Sequence, residues 1–343
     1  MITYWMAFLL PTLGGLTPLR PDRTTRVIVY ALVFLALTLF IGGRDVVGCD
    51  WDTYVGHYYT ASQQTFMEAL EQGYPAYSLL NWLAAQTGLD VHAVNTVCAA
   101  IFSFGLLSFM SRQPRPWLVL VAAMPYLIIV LAMGFTRQAS AVGLLMLAFN
   151  AFVDKKLVRF LVLVALAGLF HSSAVALAPM AVFMRRGRVS PWFVGGAASA
   201  FLAFSILSNA LDHYLYSYVQ REYAAEGALY RLPLHVAAAA AVFLFRKRWF
   251  ARFDDGRLYV ILACAAALTF PFAFFLPVMA DRMSMYLLPF QVAVAARVPD
   301  LVAVRYRSIT ILGVVLAYGL SLYVWLNYAN HASCWLPYGS VYF

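Results

Sequence analysis

Long apolar runs alternate with short basic clusters along most of the chain. One such run is ALVFLALTLFI at 31–41, and the clusters RPDRTTR, RQPR and RKRWFARFDDGR each separate two runs. A membrane-spanning helix needs about 20 apolar residues, or about 17 at the short end. Because 63% of the residues are hydrophobic and only 11% are charged, the chain cannot cover a soluble fold with polar groups. The pattern predicts an all-α, polytopic membrane protein, since a barrel would alternate polar and apolar positions.

The apolar runs predict about twelve transmembrane helices, which form a single transmembrane domain over 1–343. Their predicted ranges are 4–17, 27–41, 91–111, 117–134, 136–153, 158–170, 172–184, 189–208, 232–245, 258–278, 283–298 and 308–328. The basic clusters fall on every second connection, which assigns those connections to the cytoplasmic side. The segment 74–89 breaks this alternation and is interpreted as a re-entrant or interfacial helix. The net charge of +9 then reflects topology and does not indicate nucleic-acid binding.

Polar residues on the predicted external side concentrate in a few short motifs. The external loop 42–90 contains GRDVVGCDWDTYVGHYY, and a second external loop is expected at 209–231; both are expected to cover the active site. The basic residues assigned to this side are all arginines, namely Arg44, Arg137, Arg221, Arg231 and Arg282. Arginine stays charged when partly desolvated and binds phosphate through two N–H groups, so the set predicts an anion site. The competing interpretation is that each arginine pairs with a nearby external acid.

Further polar residues lie where external loops meet predicted spans. His171 occurs in GLFHSSAV, and Asp281 and Arg282 occur in ADRMSMYLLPF. Ionisable side chains at such positions usually face a cavity. The alternatives are that His171 only satisfies a tight turn and that Asp281 neutralises its neighbour.

The motifs RDVVGCDWDTY, FTRQASA, FHSSAVALAP, EGALYR and DRMSMY resemble, in this order, those of the EpsG-type, Wzy-like polysaccharide polymerases. The likeness covers roughly residues 27 to 330, and Cys49 stands where a small hydroxyl residue is expected. The resemblance implies a C-type glycosyltransferase-like enzyme of the bacterial cytoplasmic (inner) membrane. Such an enzyme transfers a growing glycan from undecaprenyl diphosphate to a lipid-linked repeat unit at the outer face, with inversion. Its partners would be the two lipid-linked glycans and membrane lipid, and the resemblance also allows a flippase and a chain-length regulator.

This chemistry needs hydrogen-bond donors for the leaving diphosphate and a base for the acceptor hydroxyl. The catalytic candidates are Asp50, His171 and Asp281, among which the sequence does not choose. The substrate-binding candidates are Arg44, Asp52, Tyr54, Arg137, Gln138, Arg231, Arg282 and Tyr286. The sequence has no nucleotide-binding motif and no His or Cys pair at metal-ligand spacing, so we expect no cofactor and no required metal. A transporter or flippase of lipid-linked glycans, or an external glycan acyltransferase, remains the alternative function.

Two cysteines lie outside the predicted spans on the external side, Cys49 in the first motif and Cys334 in an aromatic segment near residue 340. We expect this segment to pack onto the external loops. An oxidising compartment would permit a disulfide between the two thiols. Bridging requires Cα atoms about 4.4–6.8 Å apart, a distance that the sequence does not give. The prediction is therefore two unpaired thiols, with the disulfide as the alternative.

Overall fold

The computed structural model describes residues 1–17, 22–71, 73–184, 226–274 and 277–342. The first helices are α1 (Ile2–Leu16), α2 (Arg23–Gly42), α3 (Trp51–Ser62), α4 (Phe66–Glu71), α5 (Pro75–Gln86), α6 (Val91–Met110), α7 (Pro116–Ala123), α8 (Thr136–Val153) and α9 (Leu157–Phe170). The later helices are α10 (Glu226–Leu244), α11 (Arg246–Arg252), α12 (Gly256–Phe272), α13 (Pro277–Ser284), α14 (Leu288–Leu301) and α15 (Arg307–Tyr328). A π-helix, Met124–Ala132, continues α7, and a 3-10 helix, Ser172–Met184, follows α9. Two short strands, β1 (Arg44–Asp45) and β2 (Gly339–Ser340), pair antiparallel.

The helices confirm that the fold is all-α. Within the part of the chain that the structure describes, three helices are long and apolar enough to cross a membrane, at Arg23–Gly42, Val91–Met110 and Val304–Tyr328. Shorter apolar helices match further predicted spans, at Ile2–Leu16, Pro116–Ala132, Leu157–Phe170, Ser172–Met184, Leu232–Leu244 and Gly256–Pro271. The chain is therefore an all-α membrane protein, whereas the total of about twelve spans stays a prediction. The predicted span 189–208 and most of the predicted loop 209–231 lie outside the described residues.

The centre of the bundle is α8, which packs between α6 and α9. Nearly every residue of α8 is buried, and so are all residues of the π-helix. The backbones of α6 and α8 meet at Gly105 and Gly143, where a Cβ on Gly105 would lie 2.0 Å from the carbonyl oxygen of Gly143. Small residues allow membrane helices this close approach. Because α8 is central, the positions of Thr136 and Arg137 at its start are fixed. Both residues belong to the FTRQASA motif.

The basic connections between helices lie together at one end of the bundle. Arg112, after α6, forms an ion pair with Asp154, after α8, with an N–O distance of 2.6 Å. Arg115, before α7, pairs with Asp300 of α14 at 2.9 Å. This end corresponds to the predicted cytoplasmic side. The polar motifs lie at the opposite end, where α2 and α9 end and α6 and α8 begin.

Three predicted spans differ from the elements that the described residues form. The segment 172–184 is a 3-10 helix, and because such a helix rises about 2 Å per residue, its 13 residues reach about 26 Å. The predicted spans 258–278 and 283–298 are separated by the short helix α13. Pro277 begins α13 and Pro289 stands in the first turn of α14, positions at which proline starts a new helix. Asp281 and Arg282 therefore lie inside α13 and not at the head of a span.

Candidate active site

The loop between α2 and α3 is fastened to the segment 329–342 that follows α15. In the strand pair, Arg44 lies opposite Ser340. A disulfide joins Cys49 to Cys334, whose Cα atoms are 5.0 Å apart although the residues are 285 positions apart. The prediction of two unpaired thiols is therefore wrong, because the segment folds back onto the first motif. The segment packs onto the first loop, as expected.

Gly48 shapes the turn that leads into α3. Its φ of +99° is a conformation that residues with a side chain rarely adopt. A Cβ at this position would also lie 2.8 Å from the carbonyl oxygen of Met133. The N–H of Gly48 donates a hydrogen bond of 2.8 Å to the carbonyl oxygen of Cys334. This turn places Asp50 at the N-cap of α3, so the glycine of the first motif positions its aspartate.

Asp50 is a half-buried carboxylate that faces two arginines from other parts of the chain. Burial raises its pKa, while the positive charges of Arg282 and Arg137 act in the opposite direction. Within the described residues, the Asp50 carboxylate makes no hydrogen bond and no ion pair closer than 4.0 Å. A carboxylate that is raised in pKa and free to accept a proton has the properties of a general base.

Arg137 is the second residue of α8, and its guanidinium is surrounded by tyrosine rings. The guanidinium carbon lies 4.1 Å from the centre of the Tyr74 ring and 5.9 Å from the centres of the Tyr54 and Tyr77 rings. Cation–π contacts engage the face of the group and leave the N–H edges open. Among the described residues, Arg137 has no hydrogen-bond acceptor and no ion-pair partner. Its half-exposed side chain is therefore available to bind an anion.

Arg282 is held beside Arg137 through the neighbouring residue Gln138. The side-chain amide of Gln138 donates a hydrogen bond of 3.0 Å to the backbone carbonyl of Arg282, which joins α13 to the start of α8. Gln138 is 2% exposed, and its amide connects the start of α8 to α13; its predicted contact with substrate stays a prediction. The positive charge of Arg282 acts on both Asp50 and His171.

His171 ends α9 and lies in a group of hydroxyls. Its Nδ1 is 2.7 Å from the Ser173 hydroxyl and 2.9 Å from the Tyr286 hydroxyl, and these two oxygens are 2.8 Å apart. Burial lowers the pKa of His171 to about 3, and the charges of Arg137 and Arg282 add to this effect. The imidazole is therefore neutral near pH 7. Within the described residues its Nε2 has no hydrogen-bond partner, so this atom is available to a ligand.

Four side chains from separate parts of the sequence thus come together, and we call them the polar cluster: Asp50, Arg137, His171 and Arg282. Arg44 does not join them. It is 1% exposed, and its guanidinium donates hydrogen bonds to the Ile41 carbonyl and the Thr136 hydroxyl. This placement does not support the predicted contact of Arg44 with a diphosphate. Instead, Arg44 ties the first loop to the residue that precedes Arg137.

The other residues that were predicted for the site are not members of the polar cluster. Asp52 is exposed in the first turn of α3. Asp281 is half-buried in α13, and its backbone carbonyl accepts a hydrogen bond of 2.6 Å from Ser284. Tyr286 is buried against His171, a position in which it supports the histidine, while its predicted contact with substrate stays a prediction. Arg231 lies within α10, although the structure does not describe its side chain.

Sequence reasoning missed three contributors to the site. Tyr74 and Tyr77 approach the cluster from α5, which was interpreted only as a re-entrant or interfacial helix. His57 on α3 lies near Tyr77, with ring centres 6.1 Å apart, and burial together with the charge of Arg137 lowers its pKa. The sequence signal for Tyr74 and Tyr77 was the YPAY string, in which proline begins a helix, one tyrosine precedes it and another lies in the first turn. In the described part of the chain, no group of His, Cys, Asp and Glu could hold a metal ion.

The fold and the polar cluster define an all-α membrane protein that carries two arginines, a carboxylate and a neutral histidine at one end of its bundle. A family model described as the EpsG family matches residues 27–340, and the chain belongs to this family. The match covers nearly the whole chain and includes every member of the cluster. Membership supports a polysaccharide polymerase-like membrane protein with glycosyltransferase-like activity in polysaccharide biosynthesis. No curated protein and no solved structure gave a match.

Proposed function

We propose that the chain is a bacterial polysaccharide polymerase of the cytoplasmic membrane. It transfers a growing glycan from undecaprenyl diphosphate to the terminal sugar of a lipid-linked repeat unit. The observation that carries this proposal is Arg137, whose N–H edges have no partner among the described residues while Asp50 and Arg282 lie within electrostatic range. Membership of the EpsG family supplies the reaction class. The flippase and the chain-length regulator are proposed accessory partners only.

The two arginines of the polar cluster have the chemistry to bind the leaving diphosphate. As the glycosidic C–O bond breaks, negative charge develops on the diphosphate oxygen. Arg137 and Arg282 would donate hydrogen bonds to this group, and because Arg137 is already held by aromatic rings, little reorganisation is needed during the reaction. A guanidinium can bind two phosphate oxygens at once, which a lysine cannot.

The carboxylate of Asp50 has the chemistry to take the proton of the acceptor sugar. The hydroxyl oxygen of the acceptor sugar attacks the anomeric carbon as the bond to diphosphate breaks, and the hydroxyl proton passes to Asp50. Attack from the face opposite the leaving group inverts the anomeric centre. Neutral His171 would use its Nε2 to hold a sugar hydroxyl or a phosphate oxygen, and Asp281 would lie at the edge of the site. The transfer consumes no nucleotide, because cleavage of the bond between the glycan and the lipid diphosphate supplies the driving force.

The location of the site is also proposed to be external. The disulfide at the same end of the bundle supports this orientation, since disulfides persist in oxidising compartments. The basic connections at the other end follow the positive-inside pattern. The substrate would therefore have to arrive already flipped across the membrane.

Purified protein in lipid nanodiscs, supplied only with lipid-linked repeat units, tests the proposal. We expect longer lipid-linked glycans in the wild-type reaction and a loss of about 100-fold or more in Arg137→Lys, comparable to the loss of a donor that stabilises transition-state charge. Arg112→Lys is the matched control, because Arg112 pairs with Asp154 at the opposite end of the bundle. A requirement for a nucleotide sugar, or movement of the lipid across the membrane without elongation, would reject the polymerase in favour of another activity.

A further inference from the structure

Tyr74 contacts two members of the polar cluster with one aromatic ring. The Arg137 guanidinium lies 4.1 Å from the ring centre. The imidazole of His171 lies with its ring centre 5.8 Å from that of Tyr74, and the two planes are inclined by only 33°. These partners come from the start of α8 and the end of α9, so Tyr74 connects two separate segments of the site.

The local sequence explains how Tyr74 presents its ring. Pro75 is the first residue of α5, and a proline keeps the residue before it out of the helical conformation. Tyr74 has φ of −138° and ψ of 71° and stands at the N-cap of the helix. Its carbonyl oxygen accepts a hydrogen bond of 2.9 Å from the N–H of Ser78, which fixes its backbone at the start of α5.

Of the three tyrosine rings around the Arg137 guanidinium in the described residues, that of Tyr74 is the closest, since the Tyr54 and Tyr77 ring centres are 5.9 Å away. Among the described residues, no acceptor or acid orients Arg137. A long side chain without such a partner would sample several rotamers unless the rings hold it. The Tyr74 ring therefore has the geometry to determine where the N–H edges of Arg137 point.

We propose that Tyr74 is a positioning residue for Arg137, which it holds by the face so that the N–H edges are directed at the departing diphosphate. This inference rests on the proposed function for the identity of the anion. It also gives the excursion α3 to α5 a specific purpose: α5 supplies the surface that orients the anion-binding arginine, in addition to covering the site.

Substitution of Tyr74 tests the ring contact. A cation–π contact of this kind corresponds to about tenfold in an equilibrium or rate, so Tyr74→Leu should lower kcat/KM for lipid-linked repeat units by about that factor. Tyr74→Phe and Tyr74→Trp retain an aromatic face and should keep most of the activity. Tyr59→Leu is the control, because the Tyr59 side chain is 64% exposed and its ring packs against the Tyr58 ring, away from the polar cluster.

A double-mutant cycle separates positioning from a general loss of structure. If Tyr74 acts through Arg137, Tyr74→Leu should cost little further activity in the Arg137→Lys background, because coupled residues are not additive. Losses that multiply in the double variant, or failure of Phe and Trp to restore activity, would overturn the positioning role. Equal thermal midpoints of the Leu, Phe and Trp variants would show that folding does not account for the difference.

Binding of inorganic pyrophosphate to the purified protein distinguishes this inference from the proposed function. If the wild-type protein binds pyrophosphate, loses this binding in Tyr74→Leu and yet elongates no lipid-linked glycan, the polymerase function fails while the role of Tyr74 stands. If transfer depends on Arg137 but is unchanged in Tyr74→Leu, the role of Tyr74 fails alone. Absence of both pyrophosphate binding and transfer in the wild-type protein rejects both.

Discussion

The guanidinium of Arg44 donates a hydrogen bond to the hydroxyl of Thr136, the first residue of α8. A second hydrogen bond, of 2.7 Å, goes to the carbonyl oxygen of Ile41 at the end of α2. Arg44 therefore fixes the end of one helix to the start of another, directly before Arg137. Arg44 thus supports the site from the interior, whereas the guanidinium of Arg137 has no acceptor or ion-pair partner among the described residues.

Arg44→Lys and Arg137→Lys should accordingly differ in their effect on stability. Lysine at position 44 cannot reproduce both hydrogen bonds, and unmade hydrogen bonds to buried groups cost about 1–3 kcal/mol each. We expect this variant to lower the thermal midpoint in detergent and to reduce transfer as a consequence. Arg137→Lys should lose transfer with an unchanged midpoint. A stable but inactive Arg44→Lys protein would contradict the structural role and favour direct contact with the diphosphate.

Gln138→Leu tests the connection between α8 and α13. Leucine keeps the approximate volume but removes the donor to the Arg282 carbonyl, which frees the segment that carries Arg282. We expect a fall of about tenfold in kcat/KM, with a larger effect on KM than on kcat, because one phosphate contact is displaced while the base remains. Gln291→Leu, which removes a buried hydrogen bond to Tyr318, is a control for amide loss elsewhere. Equal effects of the two substitutions would indicate general destabilisation.

The pH profile of transfer should identify the base. Asp50 must be ionised to accept a proton, and because burial raises its pKa, activity should fall with decreasing pH above the range of an ordinary aspartate, about 3.9. His171, with a pKa lowered to about 3, stays neutral over this range and should not produce the decline. Asp50→Asn should abolish transfer, whereas Asp52→Asn, in which an exposed carboxylate is lost, should keep the same acidic limb. A limb that disappears in His171→Gln would instead assign the base to the histidine.

The sequence predicted the helices better than the contacts between them. Apolar runs and basic clusters located α1, α2, α6 to α9, α12 and α15, because membrane burial and charge distribution act on each segment separately. The arginines at 137 and 282 were found in the same way, since their residue type and predicted side of the membrane suffice. The role of Arg44 was not predictable, because its hydrogen bonds to Ile41 and Thr136 depend on tertiary packing.

The role of Tyr74 was also not predictable from the sequence. Tyrosines are common at membrane interfaces, so the YPAY string gave no reason to place one of them against a charged group. The position of its ring depends on how α5 packs on α3 and on where α8 begins, and neither is encoded in the local pattern. The disulfide was likewise undetermined, because the distance between Cys49 and Cys334 follows from the fold-back of the segment 329–342.

That segment leads to the last prediction. Besides the disulfide, it is held by two hydrogen bonds to neighbouring helices. The Trp335 indole donates to the Ile129 carbonyl of the π-helix at 2.8 Å, and the Tyr338 hydroxyl donates to the Phe40 carbonyl of α2 at 2.8 Å. These hydrogen bonds do not depend on the thiols. The double variant Cys49→Ser, Cys334→Ser should therefore fold with the segment in place. It should still lose stability, for which about 2–4 kcal/mol is typical of a native disulfide.

Because Cys49 directly precedes Asp50, the loss should also loosen the N-cap of α3 and lower transfer more than the exposed position of the sulfur would suggest. Thermal midpoints and transfer rates with and without reductant provide the measurement: reduced wild-type protein should match the double variant, and the double variant should not respond to reductant. Cys264→Ser, which removes an exposed free thiol, is the matched control and should behave as wild type. Mass spectrometry of unreduced, thiol-blocked protein should yield a Cys49–Cys334 peptide pair, and blocking groups on both cysteines would contradict the bridge.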